Sequence, residues 1–180
     1  MKNVVTMVAL LVLVCSALSV AQTAGGWRVT VGAEGGLPIS DFKTGSNFGV
    51  GGVGSVGYMV DPSFMVGVKS GYLSFSNATS GGPSVGAIPI LVTGKYYFMP
   101  GDTKVYGDAS VGMFSLSGGG TSVTKFGFAP ALGAEFKAGD KMWVDVHGNY
   151  SMITDALGVG TTTTAASFIG FGIGLVFDLQ

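Results

Sequence analysis

The sequence predicts an all-β fold: an eight-stranded antiparallel up-and-down barrel that crosses a membrane, preceded by a cleaved signal peptide. Three observations carry this. Large apolar side chains recur at every second position in long runs throughout the chain, and period two is the signature of a strand. Charged residues make up only 11% of the 180 residues while hydrophobic ones make up 47%, against about 25% charged in an ordinary soluble protein. No stretch beyond the first twenty-odd residues approaches the ~18 consecutive apolar residues of a membrane helix. A chain with too little charge for a watery surface, and no spanning helix, has a closed barrel as its main remaining way to satisfy its backbone in lipid.

The clearest element is the stretch from Phe126 to Ile153, two runs around the tight pair Gly139-Asp140. In the first, Phe126, Phe128, Leu132, Ala134 and Phe136 alternate with Gly127, Ala129, Ala131, Gly133, Glu135 and Lys137. In the second, Met142, Val144, Val146, Tyr150 and Met152 alternate with Trp143, Asp145, His147, Asn149 and Ser151. Each run is about 13 residues, where soluble strands average ~5–6. Tilted by ~40° at ~3.3 Å per residue, such a strand rises ~33 Å, enough for the ~25 Å apolar band of a membrane barrel.

The remaining elements follow in order. Met1 to Ala21 reads as a secretory signal: Lys2 at the start, an apolar centre from Val4 to Leu18, and small residues in Ser19-Val20-Ala21 before cleavage at Gln22. Val14 precedes Cys15 where a lipoprotein signal needs a small residue, so lipidation is not expected. The rest of the chain has no cysteine and needs no disulfide. Strand 1 is expected over Trp27–Leu37, a loop over Pro38–Ser46, strand 2 over Asn47–Val60 and a tight turn at Asp61-Pro62-Ser63. Strand 3 spans Phe64–Ser76, with Leu73 and Phe75 on the same parity as Lys69. A polar loop Asn77–Pro83 leads to strand 4, Val85–Phe98. Strand 5 covers Lys104–Leu116 and Ser117–Lys125 is a Gly/Ser/Thr loop. After strands 6 and 7, Thr154–Thr164 is a loop and strand 8 is Ala165–Leu179. Connections then alternate long and short, as in bacterial barrels with short periplasmic turns and longer outer loops. That arrangement puts both termini on the periplasmic side. Pro89 and Pro130 interrupt strands. Pro89 is expected to mark the true start of strand 4, and Pro130 a bulge.

The inner face collects Arg28, Lys69, Lys95 and Lys137 against Glu34, Asp108, Glu135 and Asp145. Buried charges must pair. Trp27, Tyr58, Phe64, Tyr96, Phe98, Phe136 and Phe177 fall near the short-turn ends, as an interfacial girdle would.

Several stretches resemble the bacterial outer-membrane β-barrel domain family, the small OmpA/OmpX-like group. They are Gly36-Leu37-Pro38 through Asp41-Phe42, Gly71-Tyr72-Leu73-Ser74-Phe75, Ile88-Pro89-Ile90 into Gly94-Lys95-Tyr96-Tyr97-Phe98, and Phe171-Gly172-Ile173-Gly174-Leu175-Val176-Phe177. The likeness covers Gln22 to Gln180. It implies an integral barrel in the outer membrane of a Gram-negative bacterium, handled by periplasmic chaperones and inserted by the barrel-assembly machinery, with membrane lipid around it and a monomeric state. Many members end on an aromatic residue; here the chain ends Phe177-Asp178-Leu179-Gln180, so Phe177 would serve from inside.

No catalytic, cofactor or metal site is expected. Gly49 to Gly54, and again Gly52 to Gly57, match the dinucleotide glycine pattern, but a strand continues where a helix is needed. His147, the one histidine, shares a face with Asp145 and Ser151. Strand residues four apart are ~13 Å distant, too far for a nucleophile–base pair. No His/Cys cluster suits a metal. A net charge of −1 with no basic cluster argues against nucleic acid. Asn77-Ala78-Thr79 and Asn149-Tyr150-Ser151 match the glycosylation pattern by chance. The expected role is a structural or surface-interacting barrel without enzymatic activity. A narrow passive pore, or a soluble periplasmic barrel carrying an apolar ligand, are the alternatives.

Overall fold

The computed structural model describes residues 25–99, 101–159 and 162–179; the predicted signal segment, Met1 to Ala21, lies outside them. Eight strands close into one barrel in sequence order: β1 (Trp27–Ile39), β2 (Ser46–Asp61), β3 (Phe64–Asn77), β4 (Val85–Tyr97), β5 (Thr103–Gly118), β6 (Thr121–Lys137), β7 (Met142–Val159) and β8 (Thr162–Leu179). Every neighbour is antiparallel. Closure is made by β1 on β8, from Trp27↔Leu179 to Ile39↔Ser167, so no edge runs along the wall. One end of the barrel carries the start of β1 and the end of β8; we call it the near end, and the opposite one the far end.

Near-end turns follow the sequence reading. Asp61 Oδ1 accepts from the Ser63 backbone at 2.7 Å in the β2–β3 turn. Ala138 and Gly139 both donate to the Met142 carbonyl around Gly139-Asp140. The far end differs. The expected loops Ser117–Lys125 and Thr154–Thr164 are largely ladder. β5 and β6 pair out to Gly118↔Thr121, leaving only Gly119-Gly120 as the turn, both at positive φ. β7 and β8 pair out to Val159↔Thr162, past an irregularity between Ile153 and Leu157. The Thr and Val residues that read as loop composition are good strand formers once a partner lies alongside. The alternation of loop length therefore becomes an alternation of protruding hairpins. The loop after β1 folds into one helical turn, α1 (Phe42–Gly45).

Both prolines are corrected. β4 starts at Val85, upstream of Pro89, and no register shift occurs at either proline. On the β3 side the ladder skips from Ser70↔Ile90 to Leu73↔Ala87 with unchanged register, and Ser70 Oγ donates to the Pro89 carbonyl at 2.8 Å. On the β7 side it skips from Phe128↔Met152 to Ala131↔Asn149. A proline without N–H removes its own bond, but the partner strands on its other side hold the register.

The outer face is apolar: Val31, Val50, Ile90, Leu132 and Ile173 are each about half exposed or more. Trp27, Tyr96, Phe98 and Phe136 stand exposed toward the near end, and Trp27 meets Tyr58 edge-on at 5.4 Å. A second aromatic level, which the sequence reading missed, stands toward the far end, where Phe48 and Phe171 stack at 6.1 Å. Glu34, Lys95 and Asp145 are buried inside and Lys69 points there as well. This is the reverse of the soluble carrier alternative.

Candidate functional site

The inside of the barrel holds two layers of different chemistry. The near-end half is polar. Arg28 on β1 donates from Nη1 to Glu135 Oε2 on β6 at 2.8 Å and to the Tyr97 hydroxyl. Its Nε donates to Asp178 on β8 at 2.5 Å. Lys95 Nζ and the Tyr97 hydroxyl both donate to Glu135 Oε1 at 3.0 Å. Glu135 is fully buried, and three donors offset the cost of desolvating it. Tyr106 lies under Lys95, whose Nζ is 3.9 Å from the ring centroid, and its hydroxyl donates to Asp145 at 2.6 Å. The ring fits because Gly133 faces it: a Cβ there would sit 2.5 Å from the Tyr106 hydroxyl.

His147 stands toward mid-barrel. Its Nδ1 is 2.5 Å from Asp145 Oδ1, and its Nε2 is 3.9 Å from Glu34 Oε2. Glu34 also pairs with Lys69 at 3.6 Å and accepts from Asn149 Nδ2 at 2.7 Å. Carboxylates on both sides of the ring hold it between β1 and β7. Asp108 accepts from Thr93 at 2.5 Å and Ser110 at 2.7 Å. A cavity of about 40 Å³, room for a water molecule or so, lies among Lys69, Thr93, Asp108 and His147.

The far-end half is apolar. Leu73, Phe75, Leu91, Phe114, Ile153 and Phe168 are nearly or fully buried there. Phe75 meets Phe168 at 5.2 Å and Phe42 of α1 at 5.1 Å. The short helix thus seats its one buried side chain on top of this plug. Gly49 makes the room: a Cβ there would fall 2.5 Å from the Phe75 ring. The glycines that mimic a dinucleotide motif are strand glycines: Gly49 and Gly57 face the Phe75 and Met65 side chains, and Gly51 faces the backbone of β3. Above the plug, an open cleft of about 350 Å³ is bordered by Phe42, Asn77, Val85, Leu116, Thr121 and Val123.

Of the eight charges expected inside, seven lie in or beside the network; Lys137 does not. Its side chain is 41% exposed and its amine reaches Asp102 at 3.7 Å on the rim, because β6 ends there. Two members were missed. Lys104 and Asp178 share the inward parity of Tyr106 and Val176, which alternation alone could have shown. Asp145 and His147 come together, and Ser151 lies further along the same strand without contacting them. Asn149 is buried in the lumen. Asn77 forms a turn with Thr79, whose backbone donates to its Oδ1 at 2.8 Å. Among the described residues, no group of three or more His, Cys, Asp or Glu could hold a metal ion.

A family model described as "Outer membrane protein beta-barrel domain" matches residues 7–177. The chain belongs to this family. The outer-membrane barrel is similar in structure to Neisserial surface protein A, at a TM-score of 0.66 and 21% identity over 86% of this chain and 97% of that one. It is similar to OprG of Pseudomonas aeruginosa at a TM-score of 0.58 and 12% identity, covering 87% and 97%. Ail, the attachment invasion locus protein of Yersinia pestis, aligns at 0.55 and 15% identity, covering 87% and 100%. At these identities the likeness is one of fold. No curated protein matches this barrel in sequence.

Proposed function

We propose that this outer-membrane barrel is a closed, non-enzymatic platform that presents its far-end hairpins for interaction at the cell surface. The observation that carries the reading is the filled lumen. A charged layer around Glu135 and an aromatic layer around Phe75 block it at two levels. Such an interior supports neither a continuous water path nor a substrate cavity. Among the described residues no nucleophile touches His147, whose ring nitrogens face the Asp145 and Glu34 carboxylates. The near end, with its tight turns and the chain termini, faces the periplasm in this reading. The far end faces outward.

The far end differs from the polyanion-binding example among the neighbours. Ail was crystallised with the heparin analogue sucrose octasulfate. Here the described far-end cations are Lys43 and Lys125, with Asp41 close to the first in sequence, so the surface does not suit a polysulfate. The cleft around Phe42 and Val123, with an apolar floor and a polar rim, suits an uncharged amphipathic segment instead.

Shortening the β5–β6 hairpin tests this. Removing residues 117–122 and rejoining with a Gly-Gly turn should leave the detergent-resistant, heat-dependent gel shift intact while abolishing surface adhesion. Adhesion unchanged by the deletion contradicts the interaction role. Single-channel conductance of the intact protein would favour the narrow pore.

A further inference from the structure

At the near-end rim two donors lack partners. Three cations, Arg28, Lys95 and Lys104, stand near the carboxylates Glu135 and Asp178, with Asp145 deeper in the same network. Glu135 takes Arg28 and Lys95. Asp178 takes Arg28 Nε on one oxygen and Trp143 Nε1 on the other, at 3.0 Å. Among the described residues Lys104 makes no salt bridge. Its ammonium rests on ring faces, 4.1 Å from the Trp143 centroid and 5.7 Å from that of Tyr97, with Asp178 and Glu135 within electrostatic reach. A cation on a ring face keeps N–H groups free for an acceptor. Arg28 Nη2, on a side chain only 3% exposed, also has no hydrogen-bond partner.

Both residues line one cleft of about 130 Å³, together with Gly26, Trp27, Met59 and Asp178. Trp27 and Leu179 are half exposed on the adjoining outer wall, and tryptophan at a barrel rim marks the headgroup level of the membrane. We propose that this cleft binds a phosphodiester-type oxyanion, held by Lys104 with Arg28 behind it. Arg28 and Trp143 hold the two oxygens of Asp178, and two cations, Arg28 and Lys104, line the cleft against that one carboxylate. The cleft is large enough for a phosphate group and not for a whole lipid. A lipid's chains would run down the outer wall past Trp27 and Leu179. A lipid headgroup and free phosphate share this chemistry.

The test uses the intact folded barrel in a non-ionic detergent. The fluorescence of its two tryptophans is followed, since Trp143 lies under Lys104. The probes are short-chain phosphatidylglycerol, inorganic phosphate, and diacylglycerol as the phosphate-free control. We expect a saturable change with phosphatidylglycerol and none with diacylglycerol. Lys104→Gln should weaken it roughly tenfold, the value of one lost charged hydrogen bond. Lys104→Arg should keep it, as should Lys43→Gln at the far end. An equal response to inorganic phosphate supports the site with the free ion as source; a response to the lipid alone supports the headgroup. No saturable response to either probe overturns the proposal. So does a response that Lys104→Gln leaves unchanged, and so does its loss in Lys104→Arg while the heat-dependent gel shift persists.

Discussion

Arg28 and Glu135 meet at 2.8 Å across the lumen, although β1 and β6 are not neighbours in the sheet. The pair ties opposite walls together, and both side chains are almost wholly buried. Removing one member leaves the other charged and without its partner. Glu135→Ala should therefore cost about 3–5 kcal/mol, read as a lower urea midpoint for loss of the folded gel band. Glu135→Gln keeps the shape and some hydrogen bonds, so it should fall between. A midpoint unchanged by either variant would show that the pairing does not hold the walls.

The aromatic layer makes a separate prediction. Phe75 is fully buried between Phe42 and Phe168. Phe75→Ala should cost about 3–5 kcal/mol through the cavity it leaves. Gly49→Ala should cost about 1–3 kcal/mol by overpacking, since its Cβ would meet the Phe75 ring. Combining Gly49→Ala with Phe75→Ala should cost less than the two separate losses together, because the new methyl enters the space that the ring vacates. Denaturation of the four proteins measures this directly.

How much of this the sequence carried depends on the element. Strand parity was legible because one face must meet lipid and a slip of one residue would reverse it. That parity puts Glu34, Lys95, Glu135 and Asp145 inside, where they are buried. The partners of each charge were not legible, since Arg28 and Glu135 lie 107 residues apart and meet only when the barrel closes. The plug was half legible: Leu73 and Phe75 share the inward parity, but nothing local shows that Phe114 and Phe168 converge on them. The far-end hairpins were hidden by composition. Ser, Thr and Gly read as loop until a neighbouring strand supplies their hydrogen bonds.

Pro130 offers a test of the seam. The β6–β7 ladder lacks the pairs opposite Ala129 and Pro130 while its register holds on both sides. Pro130→Ala restores a backbone donor toward Tyr150. We expect a new slowly exchanging amide at position 130 by hydrogen exchange. The stability change should stay within about 1 kcal/mol, because the gained bond is offset by a more flexible unfolded chain. A fast-exchanging amide there would mean that the seam stays open for another reason.

His147 separates a structural role from a chemical one. His147→Ala leaves the Asp145 and Glu34 carboxylates facing each other across the gap. It should destabilise the barrel by about 1–3 kcal/mol. The lipid composition of the outer membrane, measured by mass spectrometry in cells carrying the variant, should stay the same. An altered acyl-chain profile would mean that the ring does chemistry.

The most direct measurement is conductance of the purified wild-type barrel in a planar lipid bilayer. With the charged layer around Glu135 and the aromatic layer around Phe75 both in place, the expected record is a flat baseline with no stepwise events. Repeated unitary current steps from the wild-type protein, scaling with the amount inserted, would contradict the closed lumen and with it the proposed role.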